Sequence, residues 1–191
     1  TTSHADGDTV VTVDYPPVNA LPVQGWFELG DAIPAAGRDT SPHAIVLRAE
    51  GRGFNAGEDI KQMQRTEGFG ALIGANRGCY HAFAAVYDCA VPVIAAVQGF
   101  CLGGGIGLVG NADVVVASDD ATFGLPEVDR GALGAATHLA RLVPPHLMRA
   151  LYFTASTVDA QTLHHHGSVY RVVPRAELDA TALAVGLSAI V

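Results

Sequence analysis

Apolar residues recur along the chain in two rhythms, unbroken short runs and runs at helical spacing, and the two alternate. Thr9 to Asp14 predicts a first strand that stops at Pro16-Pro17, while the polar stretch Thr1 to Asp8 predicts a frayed end. Val23 to Ala36 carries Trp26, Leu29 and Ile33 at helical spacing, and Pro34 is expected to bend or end that helix. His43 to Ala49 reads as a second strand, buried on both faces. A long helix is predicted within Phe69 to Cys89, with Leu72, Ile73, Ala75, Cys79, Phe83 and Val86 facing inward. Val91 to Val97 and Val114 to Ala117 are further buried strands, separated by glycines and a short apolar helix. Gly131 to Leu142 and Pro144 to Phe153 predict two helices, and Asp159 to His166 a short one. Ser168 to Val173 predicts a late strand and Glu177 to Val191 a final amphipathic helix. Apolar strands alternating with helices predict an α/β fold, with mostly parallel pairing and both sheet faces covered.

Composition narrows the class. With 191 residues, 49% apolar and only 16% charged, the chain is expected to pack one domain around a large core. A net charge of −8 and the lack of a basic stripe argue against a nucleic-acid partner. No apolar run reaches membrane-spanning length, so no membrane partner is expected. Cys79, Cys89 and Cys101 are odd in number and lack zinc-like spacing, which predicts reduced thiols in a cytoplasmic protein.

Candidate chemistry concentrates between Val91 and Glu127, VPVIAAVQGFCLGGGIGLVGNADVVVASDDATFGLPE. Its tripled glycine, Gly103-Gly104-Gly105, opens a helix just after a buried strand. The first N–H groups of a helix lack partners and point along its dipole, which favours negative charge. Two enzyme readings follow. Gly105-x-Gly107-x-x-Gly110, with Asp119 and Asp120 after the next strand, spells a dinucleotide-binding pattern, although the helix is short for such a unit. Alternatively the Gly104 N–H is one donor of an oxyanion hole, which needs a second donor elsewhere. The loop Glu50 to Lys61, EGRGFNAGEDIK, offers one, since it too follows a buried strand and carries glycines before a helix.

Three segments, GFNAGEDIKQM, AVQGFCLGGGIGL and ATFGLPEV, resemble signature segments of the crotonase (enoyl-CoA hydratase/isomerase) superfamily, in order and over Val10 to Val173. The resemblance implies a spiral of ββα units followed by C-terminal helices. It places the spiral core and its active-site loops in residues 1–142. A helical region with one short strand then fills 143–191, shorter than the family's usual C-terminal part. It also implies an acyl-CoA thioester as substrate, with coenzyme A belonging to the substrate, no separate cofactor and no metal. Assembly as a homotrimer or dimer of trimers is implied as well. Carried over by motif, the N–H groups of Glu58 and Gly104 would hold the thioester oxygen as it becomes an enolate, and Glu127 would be the acid/base. Asn55, Ala56, Gly57, Asp59, Ile60, Lys61, Gly103 and Gly107 would bind the substrate.

One departure bears on the reaction. The family's usual first glutamate lies three residues after the oxyanion glycine, and here that position is Gly107. Gly107 either allows close helix packing or makes room for a fused-ring acyl group. The wording DYPPVNA, EGRGFNAG and RGALGAATHL further resembles crotonase-fold ring-opening hydrolases of actinobacterial sterol breakdown. That likeness implies hydrolytic carbon–carbon cleavage of a cyclic β-diketone CoA thioester. An enoyl-CoA hydratase or isomerase and a non-catalytic CoA-binding homologue are the alternatives. Elsewhere, Asp129 and Arg130, just past Glu127, either enter the site or form a solvated pair, the solvated pair being favoured, and Lys61 and Arg52 read as surface cations or CoA-phosphate ligands. Asn111 and Asp113 are expected to cap and turn, His138 to pack, and Cys101 to fill space. His164-His165-His166 are consecutive on a helix and do not share a face, so they predict no metal site.

Overall fold

The computed structural model describes residues 1–5, 7–38, 44–132 and 134–188. The chain begins with β1 (Thr2–Ala5), β2 (Asp8–Val13), α1 (Val23–Gly37) and β3 (Ile45–Ala49). It continues through α2 (Ile60–Arg65), α3 (Gly70–Tyr87), β4 (Val93–Val97), β5 (Phe100–Leu102) and α4 (Gly104–Val109). Next come β6 (Val114–Ser118), β7 (Thr122–Gly124), a 3-10 turn (Pro126–Arg130), α5 (Ala136–Leu139) and α6 (Pro145–Thr154). β8 (Thr157–Asp159), α7 (Ala160–His165), β9 (Arg171–Val173) and α8 (Leu178–Ser188) complete the described chain.

The unbroken apolar runs form the centre of a six-stranded sheet in the order β1-β2-β3-β4-β6-β9, parallel throughout except for β1 against β2. Side chains alternate across it. Val11, Leu47, Ala95 and Val115 face the main core, where α1 packs along α3. Val10, Val46, Ile94 and Val116 face the other side, where α8 covers them with Leu178 and Ala182. Both faces are therefore dry, which is why these strands read as continuous rather than alternating runs. No helix among the described residues is long and apolar enough to cross a membrane.

Four expectations change. The N-terminal stretch is not frayed: β1 pairs in register Thr2↔Val11, and the Thr1 ammonium donates to the Thr12 carbonyl at 2.8 Å. An edge strand needs no apolar residues, so its polar sequence gave no strand signal. Helix α1 runs past Pro34 to Gly37: proline lacks its own N–H, but the Arg38 N–H still donates to the Pro34 carbonyl at 3.2 Å. In α3, Ala75, Cys79 and Val86 are buried and Phe83 packs against the core, but Leu72 and Ile73 are exposed. Instead of one helix over Gly131 to Leu142, the chain makes the 3-10 turn and the four-residue α5. The predicted start at His43 and the last residues of the final helix lie outside the described residues.

A second sheet, β5-β7-β8, has only three residues per strand and positions the chemistry. In it β5 and β7 run parallel with Leu102 opposite Gly124, and the Gly103 N–H donates to the Gly124 carbonyl at 3.2 Å. The chain therefore leaves this ladder into Gly104 on one strand and Glu127 on the next.

Candidate active site

The loop after β3 is held by its backbone. Phe54 N–H donates to the Gln98 and Phe100 carbonyls, each at 2.9 Å, and Leu102 N–H donates to the Asn55 carbonyl at 2.8 Å. Asn55 is fully buried; its amide nitrogen donates to the Asn19 carbonyl at 2.6 Å and its oxygen accepts from the Gly57 N–H at 2.8 Å. Gly57, at φ +85, turns the chain into a short bridge with Leu21. Leu21 N–H donates to the Gly57 carbonyl and Asp59 N–H to the Leu21 carbonyl, each at 2.9 Å. This pairing skips the intervening Glu58 N–H. Asp59 then caps α2, its carboxylate accepting from the N–H groups of Lys61 and Gln62.

Opposite this loop, Gly103 (φ +58) turns the chain into α4, whose first residue is Gly104. The two backbones touch: a Cβ on Gly57 would stand 3.2 Å from the Gly104 nitrogen. On its other side Gly104 meets the fully buried Trp26 indole, 2.6 Å from the position of a Cβ. Among the described residues, neither the Glu58 N–H nor the Gly104 N–H has a hydrogen-bond partner. Two free donors thus lie on adjoining backbones beside one cavity of about 390 Å³.

Glu127 enters from the 3-10 turn. Its Oε1 lies 2.9 Å from where a Cβ on Gly103 would be, and its Oε2 is buried with no hydrogen-bond partner among the described residues. Burial, and to a lesser degree the nearby Glu58 charge, raise the Glu127 carboxyl from 4.5 to about 7. Such a group is poised to exchange a proton near neutral pH. The Glu58 side chain also faces the cavity and accepts a hydrogen bond from the Cys79 thiol at 3.2 Å. Burial first, then Glu58, raises the Cys79 thiol far above the usual cysteine range, and burial does the same to Cys101. Both thiols stay protonated and unreactive.

Of the residues expected to bind substrate, Ala56, Ile60 and Gly103 line this cavity together with Glu58, Gly104 and Glu127. Asn55, Gly57 and Asp59 instead shape the loop from behind, and Lys61 is exposed on α2. Gly107 does not open space for an acyl group: the Phe83 ring fills the place of its side chain, 2.1 Å from where a Cβ would be. The dinucleotide-like spacing is likewise taken up by packing, with Gly105 against Asn55 and Gly110 against the His138 carbonyl. Arg130, read as half of a solvated pair, lines the cavity from an exposed position.

Met63, Asn76 and Tyr80 also line the cavity without any sequence signal, and His138, expected to pack, lines it as well. On α3 the lining positions Leu72, Asn76, Cys79, Tyr80 and Phe83 follow helical spacing. Leu72, Cys79 and Phe83 belong to the stripe expected to face inward, while Asn76 and Tyr80 break its apolar pattern. Asn111 is a hub rather than a cap. Its Nδ2 donates to the Gly107 carbonyl at 2.6 Å and meets His138 Nδ1 at 2.9 Å, while its Oδ1 accepts from Arg141. Asp113 does tie its turn, accepting from the Val93 N–H at 2.8 Å. Among the described residues no three His, Cys, Asp or Glu side chains are grouped as metal ligands.

Asn55 carries a testable consequence. Asn55→Ala would leave the Gly57 N–H and the Asn19 carbonyl buried and unpaired. At about 1–3 kcal/mol for each of the two orphaned groups, a loss of roughly 2–6 kcal/mol is expected in urea unfolding. A loss below about 1 kcal/mol would show that the loop is held by other means.

The family model described as enoyl-CoA hydratase/isomerase matches residues 5–188. The chain belongs to the enoyl-CoA hydratase/isomerase family. It is 74% identical over 181 residues to a Rhodococcus jostii protein named (7aS)-7a-methyl-1,5-dioxo-2,3,5,6,7,7a-hexahydro-1H-indene-carboxyl-CoA hydrolase, covering 95% of this chain and 70% of that one. A Mycobacterium tuberculosis protein of the same name is 71% identical over 184 residues, covering 96% of this chain and 74% of its own length. Among solved structures, human enoyl-CoA hydratase domain-containing protein 3 superposes with a TM-score of 0.92 at 28% identity, over 99% of this chain and 76% of that one. Family membership accounts for both the larger sheet and the small β5-β7-β8 sheet as one inherited frame. In this enoyl-CoA hydratase/isomerase chain, residue 107 has no side chain, and among the described residues Glu127 and Glu58 are the carboxylates that line the cavity.

Proposed function

We propose that the protein hydrolyses a carbon–carbon bond in the ring of a cyclic diketone acyl-CoA thioester. The observation that carries this reading is Glu127: a half-buried carboxylate poised near neutral pH beside two unpartnered backbone N–H groups. The two hydrolases of 74% and 71% identity supply the substrate class through their names. In the proposed reaction the Glu127 carboxylate takes a proton from water as the water oxygen bonds to a ring ketone. The tetrahedral adduct then collapses, and its ring bond breaks. The ketone carbon becomes a carboxylic acid, and the electron pair of the broken bond is delocalised into the thioester. The Glu58 and Gly104 N–H groups hold the resulting enolate oxygen, a contribution of about 10²–10³ in rate for each such donor. Glu127 returns its proton to carbon. Water is the only co-reactant, and the net yield is one new carboxylic acid.

The test follows acid release and substrate absorbance together in weak buffer, with a bicyclic diketone acyl-CoA and a short linear enoyl-CoA. Acid from the bicyclic substrate alone is the expected result. A second reading, hydration of an enoyl-CoA, draws support from the Glu58 carboxylate facing the same cavity as Glu127. Loss of enoyl absorbance without acid would favour it over ring opening, and tight binding with no turnover would leave a CoA-binding protein.

A further inference from the structure

The ring-opening reaction develops negative charge twice, on the thioester oxygen and, earlier, on the oxygen of the attacked ketone. The Glu58 and Gly104 N–H groups form one donor pair, and they serve the thioester. The adduct oxygen needs a donor of its own on another wall of the cavity.

His138, from α5, lines that cavity. Its ring is fixed by packing and by hydrogen bonds. Phe83 meets it edge-on at 5.0 Å between centroids and an interplanar angle of 69°, and is itself edge-on to Trp26 at 5.8 Å. The tautomer is fixed too. Asn111 Oδ1 accepts from Arg141, which obliges Nδ2 to be the amide's donor end. Nδ2 donates to the Gly107 carbonyl at 2.6 Å and to His138 Nδ1 at 2.9 Å. Nδ1 is therefore the acceptor, and the ring proton sits on Nε2, which has no hydrogen-bond partner among the described residues. Burial first, and then the Arg141 charge, lower the basicity of the imidazole, so the ring stays neutral.

We propose that the neutral Nε2–H of His138 donates a hydrogen bond to the oxygen of the attacked ring ketone and stabilises the alkoxide of the tetrahedral adduct. This rests on the ring-opening reading given above. It also gives residue 107 a role: with no side chain there, Phe83 swings in beneath His138, and the Gly107 carbonyl steadies the amide that sets the tautomer. A neutral donor suits the step, because it strengthens as charge grows on oxygen without surrendering its proton to the enolate.

The experiment measures steady-state acid release from a bicyclic diketone acyl-CoA by the wild type, H138A and H138Q, with circular dichroism to confirm folding. H138A is expected to lose about 10²–10³ in kcat, the usual cost of one oxyanion donor, with KM changed only a few-fold. H138Q, whose amide N–H reaches a similar place, should recover at least ten-fold of that loss. Asn111→Asp, which removes the donor to Nδ1, should lower kcat and shift the pH profile as the imidazole gains a second proton. Turnover by H138A within two-fold of wild type, or a folded H138Q as slow as H138A, overturns the donor role and leaves ring opening intact. A wild type that releases no acid overturns both.

Discussion

Glu127→Gln should slow acid release from a bicyclic diketone thioester by about 10²–10⁴, the usual contribution of a positioned general base. Glutamine keeps the shape but cannot accept the proton, so KM should stay within a few-fold. The wild-type rate should rise with pH through about 7, as the carboxyl raised to that value ionises, and the variant should lose this limb. The same residue has a stability signature of defined sign. A carboxyl raised from 4.5 to about 7 on folding contributes stability that is fully present below pH 4.5 and is lost as pH rises through 7. Glutamine does not ionise. The variant should therefore match the wild type at pH 4 and exceed it above pH 8. After allowance for solvent screening the gain is about 1–2 kcal/mol, or a few degrees in Tm. Equal melting of the two proteins at pH 8.5 would contradict the burial of Glu127, and undiminished turnover would remove it from the reaction.

Gly107→Glu restores a carboxylate where the family usually carries one, yet it should damage the protein rather than create a second acid/base group. The new Cβ would stand 2.1 Å from Phe83 Cζ and 2.3 Å from Cε2, so the ring must leave its place. Overpacking of this kind costs about 1–3 kcal/mol. A carboxylate partly buried without a partner adds to that, for a total of roughly 2–4 kcal/mol in urea unfolding. The displaced ring would move toward the cavity it lines and disturb His138, with turnover falling on the order of 10²-fold. Phe83→Ala in the same chain should relieve the clash. The double variant is then expected to be more stable than the sum of the single effects predicts, by at least about 1 kcal/mol. Simple additivity in that cycle would mean that Phe83 is not what excludes a side chain at 107.

Much of this was legible in the sequence. The buried strands β3, β4 and β6 announce themselves as unbroken apolar runs because neither face meets water. Gly103-Gly104 at the head of a helix and the Gly57 loop after β3 stand out as candidate donor loops by composition, and the family resemblance names the Glu58 and Gly104 N–H groups within them. The small sheet was not legible. Three-residue strands such as β5, β7 and β8 are too short to show a period, and their pairing is a matter of topology. The reach of Phe83 was hidden for a related reason. A glycine reports that a side chain is missing, but not which neighbour, 24 positions upstream in the chain, has taken the space. His138 and Asn111 were invisible as partners, since a tautomer is set by a hydrogen bond between segments 27 residues apart.

The single rung that pairs Leu102 with Gly124 has an evolutionary corollary. Gly104 stands two residues beyond it on one side and Glu127 three residues beyond it on the other, so their separation is gauged locally, independent of the outer strands. Length changes between the two strands leave that spacing intact only where α4, the buried β6 and the rung itself re-form. A change of one residue between Leu102 and Gly104, or between Gly124 and Glu127, would throw donor and base out of alignment at once. Length variation among functional descendants of this chain should therefore be purged within those two tripeptide-scale steps.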